Sequence, residues 1–239
     1  MKASLILSAV LLLMSTAVQA KLQLPGFFTD NMVLQRAKPV PVWGWDDPGA
    51  AVTVSFAGQT KQATVDENGK WMIRFDPMPA SAEPRVLEVN QGAVRLQNVV
   101  VGDVWICSGQ SNMEWVINNS HDPINEAANA DYPLIRHVKI QNLAGDFPLQ
   151  DVTARWDTCR KDSVIWFTAV GYHFARRLHT ELDVPVGLIS TNWGGTRIEP
   201  WIPPVGFRQV PELAHQSAQV DLTDIGTEAG RRSEEHTSE

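Results

Sequence analysis

The spacing of apolar residues changes its period once along this chain, near residue 101, and that change limits the folds open to it. Before it, apolar and polar residues alternate in short runs: Pro39–Trp45, Ala51–Phe56, Gln59–Val65, Lys70–Phe75, Arg85–Asn90 and Val94–Val101. A period of two sends every second side chain to the same face, the pattern of strands covered on one side. Asp46-Asp47-Pro48-Gly49 and Asp66-Glu67-Asn68-Gly69 interrupt these runs with turn residues. Asn-Gly tolerates positive φ, so the second turn is expected to close a hairpin. Asp76–Pro84, rich in Pro and Ala, reads as loop. Short strands at this spacing predict a small all-β sandwich module over residues 21–100.

After residue 101 the chain reads as α/β. Gly102–Cys107 is a short, nearly continuous apolar run, as expected of a strand buried on both faces. A polar loop, Ser108–Asn112, follows it, and Met113–Ile117 opens a helix. Leu134–Ile140 is another candidate strand. Ser163–Leu182 is the strongest helical segment, with Phe167, Val170, Phe174, Leu178 and Leu182 on one face. Asp183-Val184-Pro185 stops it before a further apolar strand, Val186–Ser190. This alternation predicts a parallel sheet with helices on both faces. Ligands of such sheets sit beyond the carboxyl ends of the strands.

The ends of the chain read differently. Lys2, the apolar run Ser4–Met14 and the small-residue site Val18-Gln19-Ala20 make residues 1–20 a secretory signal. The run is shorter than the roughly 18 residues of a membrane span. The protein is therefore expected to be exported, to a periplasm or the extracellular space. The chain carries 20 Lys+Arg against 27 Asp+Glu, a net charge of −7, which argues against a nucleic-acid partner. Cys107 and Cys159 would meet an oxidising compartment, so either a disulfide or two buried thiols is open to them. They lack the His spacing of a zinc site, and no metal is expected. Nine Trp against two Tyr is unusual. Aromatic faces suit sugars, although most Trp in a domain are packing residues.

Two polar, glycine-containing loops follow predicted strands: Ser108-Gly109-Gln110-Ser111-Asn112-Met113, and Asn192 through Trp201. A serine on a strand-to-helix turn presents its hydroxyl at the sheet rim. The N–H groups of the opening turn there suit a developing oxyanion. Glycines in the second loop, Gly194 and Gly195, let backbone approach a substrate and donate to it.

The block Gly102-Asp103-Val104-Trp105-Ile106-Cys107-Ser108-Gly109-Gln110-Ser111-Asn112-Met113-Glu114-Trp115 resembles the sialate O-acetylesterase family, a branch of the SGNH hydrolases. The likeness continues in Val170–Leu178 and from Pro185 to Trp201. An N-terminal β module with a Trp-Gly turn (Trp43-Gly44) and an Asn-Gly hairpin (Asn68-Gly69) also fits the family.

The resemblance implies an α/β fold with a three-layer, SGNH/flavodoxin-like parallel sheet, no cofactor, an acetylated sugar or glycan as substrate, and Ser111 as nucleophile. Ser111 N–H and the N–H of Gly194 or Gly195 would form the oxyanion hole. Gln110 and Asn112 would fix the loop or touch substrate. Glu199 and Trp201 would line the sugar site, with pairing to Arg197 the alternative for Glu199. Glu114 invites a glycosidase reading, but no second carboxylate completes the pair.

The family's base, a His three residues after an Asp, does not occur in the 239 residues. Glu212-Leu213-Ala214-His215 is an imitation that comes too early in the chain. His173 and His179 fall in the strongest helix, and His121 and His137 have no identifiable partner. Arg232–Glu239 reads like a translated sequencing-library adapter. Residues 101–231 are therefore expected to be the N-terminal portion of a catalytic domain, C-terminally incomplete and nearly inactive alone. An acetylxylan-type esterase and a non-catalytic glycan-binding protein are the competing readings. Nothing in the sequence sets an oligomeric state.

Overall fold

A computed structural model describes residues 22–143, 149–213 and 215. The expected leader, 1–20, and the octapeptide 232–239 lie outside the described residues. In chain order the elements are β1 (Val33–Gln35), β2 (Val40–Trp45), β3 (Ala51–Phe56), β4 (Gln59–Thr64), β5 (Lys70–Phe75), β6 (Ser81–Val89), β7 (Val94–Cys107), α1 (Ser111–Glu114) and α2 (Pro123–Ala128). There follow β8 (Tyr132–Lys139), β9 (Trp156–Cys159), α3 (Ala169–Leu182), β10 (Val186–Ser190) and α4 (Pro204–Arg208). No helix among the described residues is long and apolar enough to cross a membrane.

The period-two segments form strands that bury alternate residues. Trp71, Ile73 and Phe75 of β5 are buried, while Lys70, Met72 and Arg74 are exposed. β2 and β5 make a two-stranded sheet, and their inner residues share one core with Val52 and Val54 of β3 and Leu87 and Val89 of β6. The Asn68-Gly69 turn does not close a hairpin. β4 bonds to β3 and β5 bonds to β2, so the turn carries the chain from one sheet to the other. Gly69 sits at φ +74°, and Asp66 Oδ1 accepts from the N–H of Asn68 and of Lys70.

Trp43-Gly44 is not a turn but lies within β2, opposite Met72 and Trp71. A Cβ on Gly44 would stand 2.2 Å from the Gln23 carbonyl oxygen, so glycine admits the segment that bonds Trp45. β6 begins at Ser81, inside the stretch expected to be loop, because β7 offers it a partner. A register shift between Ser81 and Arg85 accommodates Pro84, which has no N–H to give the ladder.

β7 joins the two parts of the fold. Its first half is antiparallel to β6; Val100–Gly102 pairs with β1 and Asp103–Cys107 runs parallel to β10. The resulting mixed sheet has eight strands in the order β4-β3-β6-β7-β10-β8-β9, with β1 on β7. Its parallel part, β7-β10-β8, is the α/β sheet anticipated from the apolar runs. Arg136 locks this part to the β module. It is 2% exposed, and its guanidinium donates to the carbonyl oxygens of Asn31, Met32 and Asn98 and to Asn98 Oδ1.

α3 covers one face of the parallel strands, but it starts at Ala169 rather than Ser163. Phe167 and Thr168 are extended instead, because they pair with Trp115–Ile117. Nor is the expected apolar stripe the buried one. Gly171, Tyr172 and Ala175 face inward, whereas Val170, Phe174 and Leu182 are exposed. The small residues allow close approach: a Cβ on Gly171 would meet Cys107 Sγ at 2.9 Å. On the opposite face of β10, Gly187 lies against Val33 and Trp156. Cys107 and Cys159 are buried free thiols, so the permitted disulfide is not formed. Burial pushes them up to about 11 and about 12.

Candidate active site

The register of the parallel strands brings the two glycine loops together. Cys107, Ser190 and Lys139 stand side by side at the carboxyl ends of β7, β10 and β8. The segments that leave β7 and β10 therefore start at one level and meet above the sheet. Gly109, at φ +137°, turns the first of them into α1. Ser111 is the first residue of that helix and is exposed. The loops are stitched by Trp193 N–H to the Gly109 carbonyl (2.9 Å) and by Gln110 Nε2 to the Thr196 carbonyl.

Beneath the stitching lies a polar network. Buried Asn192 donates through Nδ2 to Ser190 Oγ (2.6 Å) and to the Met113 carbonyl (3.0 Å). Lys139 Nζ in turn donates to Asn192 O (2.6 Å) and Oδ1 (2.7 Å). Burial lowers the Lys139 ammonium from its ordinary range, while Glu114 pulls it back up.

Gly194 stands directly against the serine. A Cβ there would lie 3.4 Å from Ser111 Oγ and 2.7 Å from Glu114 Oε2, so a larger residue displaces one of them. The Gly194 N–H donates to Glu114 Oε2 at 2.6 Å. Glu114 Oε1 accepts from Asn142 Nδ2 at 3.0 Å and lies 3.7 Å from Lys139 Nζ. The Gly194 N–H, above all, holds the Glu114 carboxyl below its ordinary range; burial opposes it, and Asn142 and Lys139 assist. Glu114 is thus a tie between the loops rather than half of a carboxylate pair. Gly195, at φ +75°, is exposed beside it.

The remaining candidates separate clearly. Gln110 holds the loops together, as described, and Asn112 is exposed with no hydrogen bond among the described residues. Trp201 Nε1 donates to Thr196 Oγ1 (2.9 Å) and braces the second loop from outside. Glu199 is exposed, and no Arg197–Glu199 ion pair forms among the described residues. The sequence reading assigned no role to Lys139 or Asn142. A lysine closing a strand at the carboxyl edge was the available signal for the first; Asn142 offered none.

No imidazole among the described residues hydrogen-bonds Ser111. His137 is buried and stacked on Phe167 (4.5 Å), His173 meets Arg176, and His179 meets the Val184 carbonyl. His215 bonds the Glu212 backbone carbonyl, not its carboxylate. What the site offers chemically is an exposed hydroxyl, a glycine facing it with no side chain between, and the Ser111 N–H, which makes no hydrogen bond among the described residues.

Comparison with known proteins identifies the family of the segment that carries these loops. Residues 101–219 match the family of carbohydrate esterases described as sialic acid-specific acetylesterases. The chain is 32% identical over 196 residues to human sialate O-acetylesterase, covering 73% of this chain and 38% of that protein. The mouse sialate O-acetylesterase is 31% identical over 196 residues, covering 73% of this chain and 36% of that one. The crystal structure of a carbohydrate acetylesterase from Xanthomonas citri superposes with a TM-score of 0.75 at 36% identity. It covers 77% of this chain and 43% of the other. The chain thus spans well under half the length of the relatives it matches. The family match over residues 101–219, together with the likeness to these relatives in sequence and fold, places the chain in the sialate O-acetylesterase family of carbohydrate esterases.

Proposed function

We propose that Ser111 is the nucleophile of a serine esterase that removes O-acetyl groups from sialic acid or a related sugar. The observation that carries this reading is that Gly194 faces Ser111 at the carboxyl edge of the parallel strands, with space between its Cα and Ser111 Oγ that a Cβ would fill to 3.4 Å. Ser111 Oγ attacks the ester carbonyl, and the carbonyl oxygen becomes an oxyanion beside the Ser111 N–H and the glycine loop. Glu114 already occupies the Gly194 N–H, which leaves Gly195 N–H as the second donor. Collapse of the tetrahedral species releases the sugar hydroxyl and leaves an acetyl-enzyme. Water then hydrolyses it to acetate and restores the serine.

A hydroxyl needs a base, and we assign it to an Asp-x-x-His pair outside this chain. Two facts support that assignment. The chain spans 38% of its human relative, and among the described residues Asp103–Cys107 of β7 pair on one side only. Residues 21–100 are then the β module and 101–231 the first portion of the catalytic domain of an exported enzyme. An acetylated xylan is the alternative substrate.

The test is turnover of O-acetylated sialic acid and acetylated xylan by the 239-residue chain and by the product of the gene extended downstream. Turnover by the extended protein, abolished by Ser111→Ala, is expected, with background rates for the shorter chain. Robust Ser111-dependent turnover by the shorter chain refutes the assignment of the base. Full activity of the Ser111→Ala variant refutes the nucleophile.

A further inference from the structure

On the same carboxyl edge as the nucleophile loop, a concavity of about 320 Å³ opens at the end of β8 and the start of β9. Its walls belong entirely to this chain. Lys139 is the shared element: it lines this pocket and also supports Asn192 beneath the Ser111 loop. Two strand spacings separate the Lys139 level of β8 from the Cys107 level of β7, about 10 Å. Glu114 links the two places: its Oε1 lies 3.7 Å from Lys139 Nζ, and its Oε2 accepts from Gly194, where a Cβ would lie 3.4 Å from Ser111 Oγ, so a ligand held at Ser111 has the pocket within reach of an adjoining group.

The chemistry of the walls is specific. Phe167 is buried and stacked on His137 with the rings 21° apart. Burial pushes the His137 imidazole down to about 3, so it is neutral, and its Nε2 has no hydrogen-bond partner. Next to Phe167, Trp166 is 64% exposed, a large indole face on the pocket wall. At the rim Arg155 pairs with Asp157 at 3.1 Å, both groups well exposed. Lys139 has committed its donors to Asn192 and faces Glu114. Each cation of the pocket thus has a counter-charge, and no isolated charge is available to anchor an anion. A flat aromatic face beside exposed polar groups, with little net charge, complements a pyranose ring. The C–H face of the sugar covers the indole, and its hydroxyls meet Asp157 and Arg155.

We propose that this pocket is a subsite for the sugar ring glycosidically linked to the acetylated one, with Trp166 as its platform. The placement of the acetylated ring rests on the Ser111 reading above. The preferred substrate is then an acetylated oligosaccharide or glycoconjugate rather than a free acetylated monosaccharide.

The test uses the full 239-residue chain and two unacetylated probes, 3′-sialyllactose and xylotriose, followed by saturation-transfer NMR and calorimetry. One of the probes is expected to bind, with saturation at the ring next to the terminal one. Trp166→Ala is expected to weaken that binding about tenfold, and Trp166→Phe to retain most of it. Because Trp166 is exposed, unchanged circular dichroism of both variants excludes misfolding as the cause. Binding of neither probe, or equal binding by the parent and Trp166→Ala, overturns the subsite. No ester is present, so a failed Ser111 assay leaves this result untouched, and active Ser111 chemistry does not rescue a failed one.

Discussion

Replacing Glu114 with Gln preserves its shape and removes its charge, and the structure permits the cost to be worked out. The carboxylate accepts from Gly194 N–H at 2.6 Å and Asn142 Nδ2 at 3.0 Å, with Lys139 Nζ at 3.7 Å. A glutamine has one acceptor oxygen. With that oxygen on Gly194, its NH₂ faces the Lys139 ammonium, a donor with nothing to accept, and meets Asn142 only if that amide turns over to present Oδ1. One charge-assisted hydrogen bond and the ion pair are lost. Such bonds contribute about 1.5–3 kcal/mol when shielded. The Glu114 side chain is 36% exposed, so solvent screening reduces the net loss to about 1–2 kcal/mol. In a chain of this size that lowers Tm by about 2–8 °C.

The pH dependence gives the stricter check. The folded state holds the Glu114 carboxyl below its unfolded value, chiefly through the Gly194 N–H. Its stabilisation is therefore fully present above the unfolded carboxyl pKa of about 4.3 and fades as pH falls through the folded value. Glutamine does not titrate. Urea melts of parent and Glu114→Gln should differ at pH 7 and converge as the pH drops below about 4. A gap that stays constant with pH, or no gap at pH 7, refutes the role of the ionised carboxylate as the tie.

Three further outcomes are expected. Arg136→Met should cost about 3 kcal/mol or more in urea melts, because it removes a donor from the carbonyls of Asn31, Met32 and Asn98, all buried or partly buried. Arg136→Lys should not restore the loss, since one ammonium cannot serve that fan of acceptors; a Met variant within 1 kcal/mol of the parent contradicts this. Gly171→Ala sets a helix-propensity gain of about 1 kcal/mol against overpacking of about 1–3 kcal/mol. The new Cβ would lie 2.6 Å from Thr168 Cγ2 and 2.9 Å from Cys107 Sγ, so net destabilisation is expected in thermal melts. Finally, Cys107 and Cys159 should resist a colorimetric disulfide reagent at pH 8 when folded and both react in urea, because burial raises their thiols to about 11 and about 12. Rapid labelling of the folded chain contradicts their burial.

Much of the fold is legible in local patterns. Ala51–Phe56, Lys70–Phe75 and Val186–Ser190 alternate or run apolar over the lengths at which they form strands. The errors came where a partner distant in sequence decides. Ser81–Pro84 looks like loop until β7 lies beside it. Phe167 and Thr168 look helical until residues 115–117 pair with them. The stripe Val170–Phe174–Leu182 has the right period for a core face, yet Gly171 and Ala175 let the helix come closer to the strands. Short β9 and three-residue β1 carry too few residues for a period to show.

The candidate site divides in the same way. Ser111, Gly194 and Gly195 stand out in the sequence because their loops resemble the family's motifs; a strand end, a turn and a glycine mark only where those loops fall. What the sequence determined by itself is therefore the strand-loop-helix grammar and the hydroxyl it exposes. Tertiary structure alone decided the rest: which glycine N–H is already taken, that Glu114 is a tie between loops, and that Lys139 joins the serine loop to a second pocket. The physical reason is that each of these depends on contacts between residues 25 to 80 positions apart. Parallel register at the ends of β7, β10 and β8 creates those contacts, and no local period in the sequence encodes it.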